Sequence, residues 1–308
     1  AQMEFYPEGH RIETTQNRLR TASLFALAEA AKSQDILEGK AVVCDAAHNL
    51  IVELGEGLRG IIPREEGALG IREGTTRDIA IISRVNKPVC FVVTGFETRD
   101  GAVMPVLSRR AAQQRCSDEW LCRLAPGDVI DARITHLEPF GAFADIGCGI
   151  ASLLPIDAIS ISRISHPRDR FSVGQKIRAV VRARDSEGRI ALSHKELLGT
   201  WLENAAAFSP GETVAGIIRS VEPYGIFIEL APNLAGLAEP KGTVQCGQAA
   251  SVYIKSLIPS RMKVKLILIE GFSSPAFPMP FSYFDPGAHI DRWRYSPPDC
   301  EKVIESVF

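Results

Sequence analysis

The sequence lacks the residue patterns that bind metals or form disulfide frameworks. Its seven cysteines are scattered and include no Cys-x-x-Cys pair and no His-x-x-x-His partner. We therefore expect neither a zinc site nor a disulfide scaffold, and no other cofactor. Free thiols in a reducing compartment are the simplest interpretation.

Long apolar segments are also missing. A membrane-spanning helix needs about 18 consecutive apolar residues, and no run in this sequence approaches that length. The first residues do not show the basic segment followed by an apolar one that is typical of a secretory signal. We expect a cytoplasmic protein with no membrane partner.

The motifs of common enzyme classes are absent as well. The sequence has no Gly-x-x-x-x-Gly-Lys-Ser/Thr phosphate loop, no Gly-x-Ser-x-Gly elbow and no His-Glu-x-x-His helix. Its six histidines are dispersed along the chain. We therefore predict no catalytic residues and expect a binding protein rather than an enzyme.

Charge is nearly balanced over the whole chain but not within it. The 308 residues carry a net charge of −2, which neither demands nor excludes a polyanionic partner. Between Arg163 and Lys195, however, seven Arg and two Lys stand against three carboxylates. A nucleic-acid footprint is expected to centre on this segment.

An internal repeat is the main positive feature of the sequence. Phe140 and Tyr224 are separated by 84 positions, and this offset aligns residues 127–155 with a later copy without a gap. A weaker copy comes earlier, where His48 to Gly55 align with Phe140 to Gly147. The chain therefore consists of three related modules in tandem.

Short segments rich in β-branched residues, separated by turn residues, indicate the fold class. In the first module these predicted strands are 41–43, 51–52, 79–82 and 89–93. Helices are predicted over 16–33, 109–124 and 195–208. The prediction is a mainly β protein of three tandem five-stranded antiparallel barrels, with helical linkers and an N-terminal helix.

The predicted organisation has seven parts. They are an N-terminal extension with a helix (1–35), module one (36–112), a linker (113–125), module two (126–195), a helical linker (196–208), module three (209–270) and a C-terminal extension rich in Pro and aromatic residues (271–308).

Two aromatic residues in module two are candidates for base stacking. Phe140 and Phe143 are three positions apart, which would place them on opposite faces of a regular strand. We expect a bulge at Gly141 to bring both rings to one side. Two such rings can stack successive bases, each worth roughly 1–3 kcal/mol. The alternative is that one ring of the pair belongs to the core.

These residues resemble the S-one RNA-binding domain of the ribosomal protein S-one family. The resemblance is strongest in module two, where Gly127-Asp128, Phe140-Gly141-Ala142-Phe143 and Gly188-Arg189-Ile190-Ala191-Leu192-Ser193 stand at the family's positions. It implies an oligonucleotide-binding barrel and single-stranded RNA, such as mRNA, as ligand. The residues implied to lie on the RNA face are Phe140, Phe143, Asp185 and Arg189 in module two, and Tyr224, Phe227 and Lys263 in module three.

The departures from the family pattern are informative. Where many members carry a histidine after the Gly-Ile turn, this chain has Pro155 in module two and Glu239 in module three. Module one has His48 and Ile51 in place of the aromatic pair. Residues 36–112 are therefore expected to dock on protein, with the 30S ribosomal subunit or its proteins as candidates. The alternative is a weakened RNA surface, and the basic end of module one, Leu107-Ser108-Arg109-Arg110, is a candidate phosphate contact.

The C-terminal segment from His289 to Tyr295 interleaves Arg with aromatic residues. One interpretation is a lid on module three, and the other is an extension of the RNA groove. For the whole chain we consider two functions. The first is non-catalytic binding of single-stranded RNA in translation or ribosome association. The second is a protein-docking adaptor, or an RNA-capture accessory of a ribosomal or RNA-processing complex.

Overall fold

The structure, a computed structural model, describes residues 5–308. The α-helices are α1 (Thr15–Thr21), α2 (Leu24–Ser33), α3 (Ile79–Ile82), α4 (Arg109–Glu119) and α5 (Trp201–Ala205). Within the described residues, no helix is long and apolar enough to cross a membrane.

Each module contributes five strands. Those of module one are β1 (Leu37–Cys44), β2 (Leu50–Glu53), β3 (Arg59–Ile62), β4 (Pro88–Arg99) and β5 (Ala102–Ser108). Those of module two are β6 (Val129–Glu138), β7 (Gly141–Asp145), β8 (Ala151–Pro155), β9 (Lys176–Arg184) and β10 (Ile190–Ser193). Those of module three are β11 (Thr213–Glu222), β12 (Gly225–Ala231), β13 (Leu234–Ala238), β14 (Gln248–Ile258) and β15 (Lys263–Pro275). A short C-terminal pair follows, β16 (Arg292–Arg294) and β17 (Glu305–Val307).

The strand order confirms a mainly β chain built from oligonucleotide-binding barrels. Modules one and three are closed in the orders β1-β2-β3-β5-β4 and β11-β12-β13-β15-β14, and module two has the order β10-β8-β7-β6-β9. The prediction of purely antiparallel pairing is wrong, because β3–β5, β8–β10 and β13–β15 are parallel. A closed ring of five strands has an odd number of pairings, so strand direction cannot alternate at all of them.

The chain divides into two compact units. The first comprises the residues up to Leu124 and the segment Asp145–Ala151, and the second comprises Ala125–Ala144 and Ser152–Phe308. Apart from that short segment, modules two and three therefore belong to the same unit. One continuous apolar core in this unit runs from Val180 of module two into the barrel of module three.

A buried ion pair joins modules two and three within their unit. The Arg170 guanidinium donates to both carboxylate oxygens of Glu229, at 2.6 and 3.0 Å, and both side chains are 0% exposed. Arg219 supplies a second cation, 2.9 Å from Glu229. Charges removed from water are tolerated only with close partners of opposite sign. Arg170 of module two therefore shares the Glu229 carboxylate with Arg219 of module three, and this shared ion pair links the two barrels.

The C-terminal segment folds back onto both barrels of this unit. Trp293 and Tyr295 are buried in the core that includes module three, which agrees with the lid interpretation and removes Trp293 as a stacking surface. Tyr283 lies 3.0 Å from the ring of His194 in module two and accepts the backbone N–H of Arg178 at 2.9 Å. Burial lowers the pKa of His194 to about 4, so its imidazole is neutral inside this contact.

Three local predictions need correction. Residues 79–82 form the single helical turn α3 rather than a strand, because only Ile81 is fully buried while Ile79 is 63% exposed. The N-terminal helix is two helices, since Ser23 caps α2 by accepting the N–H of Ala26. The linker over 196–208 is likewise interrupted at Gly199, whose φ of 88° is outside the helical region.

Candidate nucleic-acid interface

The aromatic pair of module two lies at the start of β7. Phe140 is in the turn that precedes the strand, and Phe143 is on the strand. Their ring centroids are 6.1 Å apart at an interplanar angle of 88°, and Phe140 is 56% exposed. The interpretation that one ring is simply core therefore does not hold for Phe140.

The predicted bulge at Gly141 is wrong. Gly141 is the first residue of β7, and the turn before it, rather than an extra residue in the strand, brings Phe140 close to Phe143. Glycine is needed there for another reason, since a Cβ would lie 2.5 Å from the carbonyl oxygen of Leu154. The neighbouring strand passes too close for any side chain.

Module three repeats this arrangement. The rings of Tyr224 and Phe227 are 6.2 Å apart at 84°, and Tyr224 is 67% exposed. Gly225 also faces a close backbone, with its Cβ position 2.8 Å from the carbonyl oxygen of Ala238. The same edge-to-face geometry in two barrels shows that the motif specifies a local structure.

His136 is a candidate that the sequence reasoning missed. Its ring centroid lies 6.3 Å from that of Phe143, its side chain is 61% exposed, and its Nε2 is 2.6 Å from Glu138. The repeat offset of 84 gives Ser220 at this position in module three, and Ser220 donates to Glu222 at 2.7 Å. The repeat alignment could have drawn attention to His136, because it pairs this residue with a serine. Module two therefore has a third ring that module three lacks.

Asp185 and Arg189 are together, as the resemblance implies, but they bind each other. Asp185 accepts the Arg189 Nε–H at 2.7 Å and the backbone N–H groups of Glu187 and Arg189. Hydrogen bonds from the Arg189 side chain and backbone lower the pKa of Asp185. Arg189 is 75% exposed, but a second carboxylate, that of Glu187, lies 3.1 Å away. Its charge is therefore largely compensated.

The basic segment of module two is also less available than its composition suggests. Arg170 is buried against Glu229. Arg178 donates to the backbone carbonyls of Asp285 and Gly287 in the C-terminal segment, at 2.6 and 2.7 Å. Several of its cations therefore support the fold instead of facing a ligand.

Module three contains an open groove beside its aromatic pair. The groove has a volume of about 710 Å³, and we call it the lysine groove. Residues on β12, β13 and β15 form its floor, because Phe227 pairs with Leu237 and Leu237 pairs with Lys265. The charged residues that line it are Lys241, Lys255, Lys263, Lys265 and Glu239.

The lysines of this groove differ in how they are held. Lys241 donates to the backbone carbonyl oxygens of Leu268 and Ile269. Lys255, Lys263 and Lys265 are exposed and form no ion pair with any of residues 5–308. Cations without protein partners beside exposed aromatic rings suit a ligand that carries both phosphates and bases.

Module one lacks a comparable site. His48 has a φ of 63° and lies 3.2 Å from Asp78. The expected phosphate contact at the basic end of module one is wrong for Arg109, because this side chain is buried and bonded to Glu8 at 2.6 Å. Arg110 is partly exposed and lies 3.1 Å from Glu73. Although burial opposes it, the charges of Arg109 and Arg84 lower the pKa of Glu8. Arg109 therefore holds the first unit together.

Comparison with known proteins shows which family the chain resembles. Residues 123–195 match the S1 RNA binding domain family, which is the S-one domain. The small ribosomal subunit protein bS1 of Staphylococcus aureus (strain COL) is 28% identical over 271 residues, which cover 82% of this chain and 66% of that protein. The bS1 protein of Leuconostoc lactis is 28% identical over 234 residues, 70% of this chain and 52% of that protein. The chain resembles the ribosomal protein S-one family, as expected.

The similarity has a limited extent. The bS1 protein of Rhizobium meliloti is 25% identical over 254 residues, which are 72% of this chain but only 44% of that protein. The chain therefore spans between 44% and 66% of the length of these relatives. Among solved structures, a multidomain protein with nucleic acid binding domains from Streptococcus pneumoniae is 14% identical. The match covers 77% of this chain and 74% of the solved chain, with a TM-score of 0.25. That score is too low to indicate a common arrangement of modules.

Proposed function

We propose that this chain binds single-stranded RNA without catalysing a reaction, using modules two and three. The observation that carries the proposal is the repeated aromatic pair, Phe140 with Phe143 and Tyr224 with Phe227, which has the same geometry in two barrels and whose first ring is exposed in each. Stacking on such rings tolerates any base sequence, because every base has a flat π face. Lys263 and its neighbours in the lysine groove would neutralise the phosphates.

The biological setting that we propose rests on the similarity to the relatives. Proteins named small ribosomal subunit protein bS1 align with 70 to 82% of this chain. We propose that this chain likewise associates with ribosomes and acts in translation, with mRNA as the bound strand. Asp185 and Arg189 would contribute to this surface mainly by shaping the turn between β9 and β10.

For module one we propose a contact with protein, such as the 30S subunit or one of its proteins. The observation that favours it is an RNA face without the aromatic pair and with Arg109 buried against Glu8. In the same unit, Phe25 is 77% and Ile79 is 63% exposed. In the alternative function, as an adaptor or RNA-capture accessory, this contact would dominate and RNA binding would be secondary.

The test is fluorescence anisotropy of a labelled single-stranded RNA across a series of salt concentrations. We expect binding by the intact chain that weakens steeply with salt, and loss of most of it in a Phe140→Ala, Phe143→Ala, Tyr224→Ala, Phe227→Ala variant. The matched control is His48→Ala with Ile51→Ala, at the corresponding positions of module one. It should bind RNA as the intact chain does. Equal loss in the control, or no binding by the intact chain at low salt, would favour the adaptor.

A further inference from the structure

The lysine groove contains one acidic residue whose position points to base selection. Glu239 directly follows β13 and lines the same groove as Tyr224 and Phe227. Its side chain is exposed and makes no ion pair with any of the described residues, although four lysines line the groove with it. An unpaired carboxylate weakens the attraction for phosphate, so its presence needs another explanation.

The strand geometry places Glu239 on the outward face of the barrel. Leu237 and Glu239 are exposed while Ala238 between them is 1% exposed, as the alternation of a strand requires. Leu237 pairs with Phe227 on one side and with Lys265 on the other. Glu239 is therefore the next outward-facing residue after Leu237 along the chain, beside the row formed by Phe227, Leu237 and Lys265. A base stacked on Tyr224 or Phe227 would therefore lie in the groove that this carboxylate lines.

A carboxylate only accepts hydrogen bonds. Guanine is the one common base whose Watson–Crick edge has two adjacent donors, N1–H and the N2 amino group. Cytosine and adenine each present one amino group beside an acceptor nitrogen, and uracil presents one N–H between two carbonyl oxygens. Single-stranded RNA exposes these edges to proteins. The carboxylate would bind guanine with two parallel hydrogen bonds and would repel the carbonyl oxygens of uracil.

We propose, on the basis of the proposed function, that the lysine groove of module three selects guanine through Glu239. The corresponding position in module two is Pro155, by the repeat offset of 84, and a proline side chain cannot form hydrogen bonds. Module two therefore binds without this preference. Module two binds a single strand of any sequence, and module three sets the preferred base.

The test compares two labelled twelve-nucleotide RNAs by fluorescence anisotropy with the intact chain. One is oligouridine, and the other has guanosine at every third position, spaced to prevent self-association. We expect the guanosine RNA to bind about tenfold more tightly, in line with other bidentate contacts to a base edge. Inosine in place of guanosine removes the N2 amino group and should give an intermediate affinity.

Three variants complete the design. Glu239→Ala should reduce the ratio of the two affinities to about one, and Glu239→Gln, which keeps one acceptor, to a few fold. Glu270→Gln removes an exposed carboxylate on β15 outside the groove and should leave the ratio unchanged. Both positions are on the surface, and a thermal unfolding curve verifies that each of the three variants is folded.

The outcomes separate this inference from the function on which it rests. A ratio that is unchanged in Glu239→Ala would overturn it. So would an equal gain in affinity for both RNAs, because Glu239 would then act only by repelling phosphate. If the intact chain binds neither RNA, the proposed function fails as well. If it binds both equally, RNA binding stands and guanine selection fails.

Discussion

Modules two and three have the same aromatic pair but differ in the charges around it. In module two, the candidate cation Arg189 is bonded to Asp185 and Glu187. In module three, Lys263 at the matching position has no such partner among the described residues and lines an open groove. Module two is nonetheless the part of the chain that matches the S1 RNA binding domain family. Sequence similarity to a family and availability of charge for a ligand are therefore separate properties.

The difference in free charge between modules two and three has a structural basis in the compact unit that they share. In module two, Arg170 pairs with Glu229 at the interface with module three, and Arg178 donates to the C-terminal segment. Module three contributes Glu229 to that interface and keeps its groove lysines exposed. We expect the aromatic rings to provide similar stacking in both modules, and the phosphate attraction to be stronger in module three. Four experiments test this difference, from the largest expected effect to the smallest.

The largest effect concerns the ion pair that joins the two modules. Arg170→Met should lower the free energy of unfolding by about 3 kcal/mol, at the lower end for a broken buried pair because Arg219 still neutralises Glu229. Chemical denaturation measures this, and we expect the unfolding of modules two and three to become less cooperative. The triple variant Arg170→Met, Arg219→Met, Glu229→Leu, which leaves none of these three buried charges unpaired, should recover most of the stability. A triple variant as unstable as the single one would contradict this explanation.

The next experiment separates the two aromatic pairs. Tyr224→Ala with Phe227→Ala should weaken RNA binding by about 2–4 kcal/mol, and Phe140→Ala with Phe143→Ala by about 2 kcal/mol, in line with typical stacking energies per base. The larger loss is expected in module three because its stacked strand also passes the groove lysines. Anisotropy titrations at one fixed salt concentration give both values. A larger loss in module two would reverse the comparison.

The salt dependence provides a finer measure. Replacing Lys263 and Lys265 by Gln should reduce the slope of log affinity against log salt concentration by about 1.4, since each neutralised phosphate of a single strand contributes about 0.7. Arg189→Gln in module two should change the slope by clearly less than 0.7, because its carboxylate partners already compensate the charge. Equal changes per residue would show that the ion pairs of Arg189 open when RNA binds.

The smallest effect is a gain of binding. Asp185→Asn keeps an oxygen that can accept the backbone N–H groups of the turn, but it removes one of the two carboxylates beside Arg189. We expect RNA affinity to rise about two- to threefold at low salt, the scale of an exposed ion pair. The reverse result, a loss of binding, would mean that the Asp185 carboxylate itself contacts RNA as the family resemblance implies.

Much of the local structure could be predicted from the sequence. The repeat offset between Phe140 and Tyr224 predicts two equivalent sites, and their rings have matching distances and angles. The β-rich class and the strands near 41–43, 51–52 and 89–93 are also as predicted. These features depend on residues close in sequence, on turn residues and on alternation, so a single segment contains the information. The helix at 79–82 is the exception, because burial of Ile81 decides it.

The fate of the charges could not be predicted in this way. Arg109, Arg170 and Arg189 look alike in the sequence, yet the structure buries the first against Glu8, the second against Glu229, and leaves the third on a turn. Their partners are 101, 59 and 4 positions away, and no periodicity relates such distances. The sequence by itself determined that there are three β modules, two of which have aromatic pairs. Only the tertiary structure decided which cations stay free for a ligand, because a charge is available only where folding leaves it without a partner.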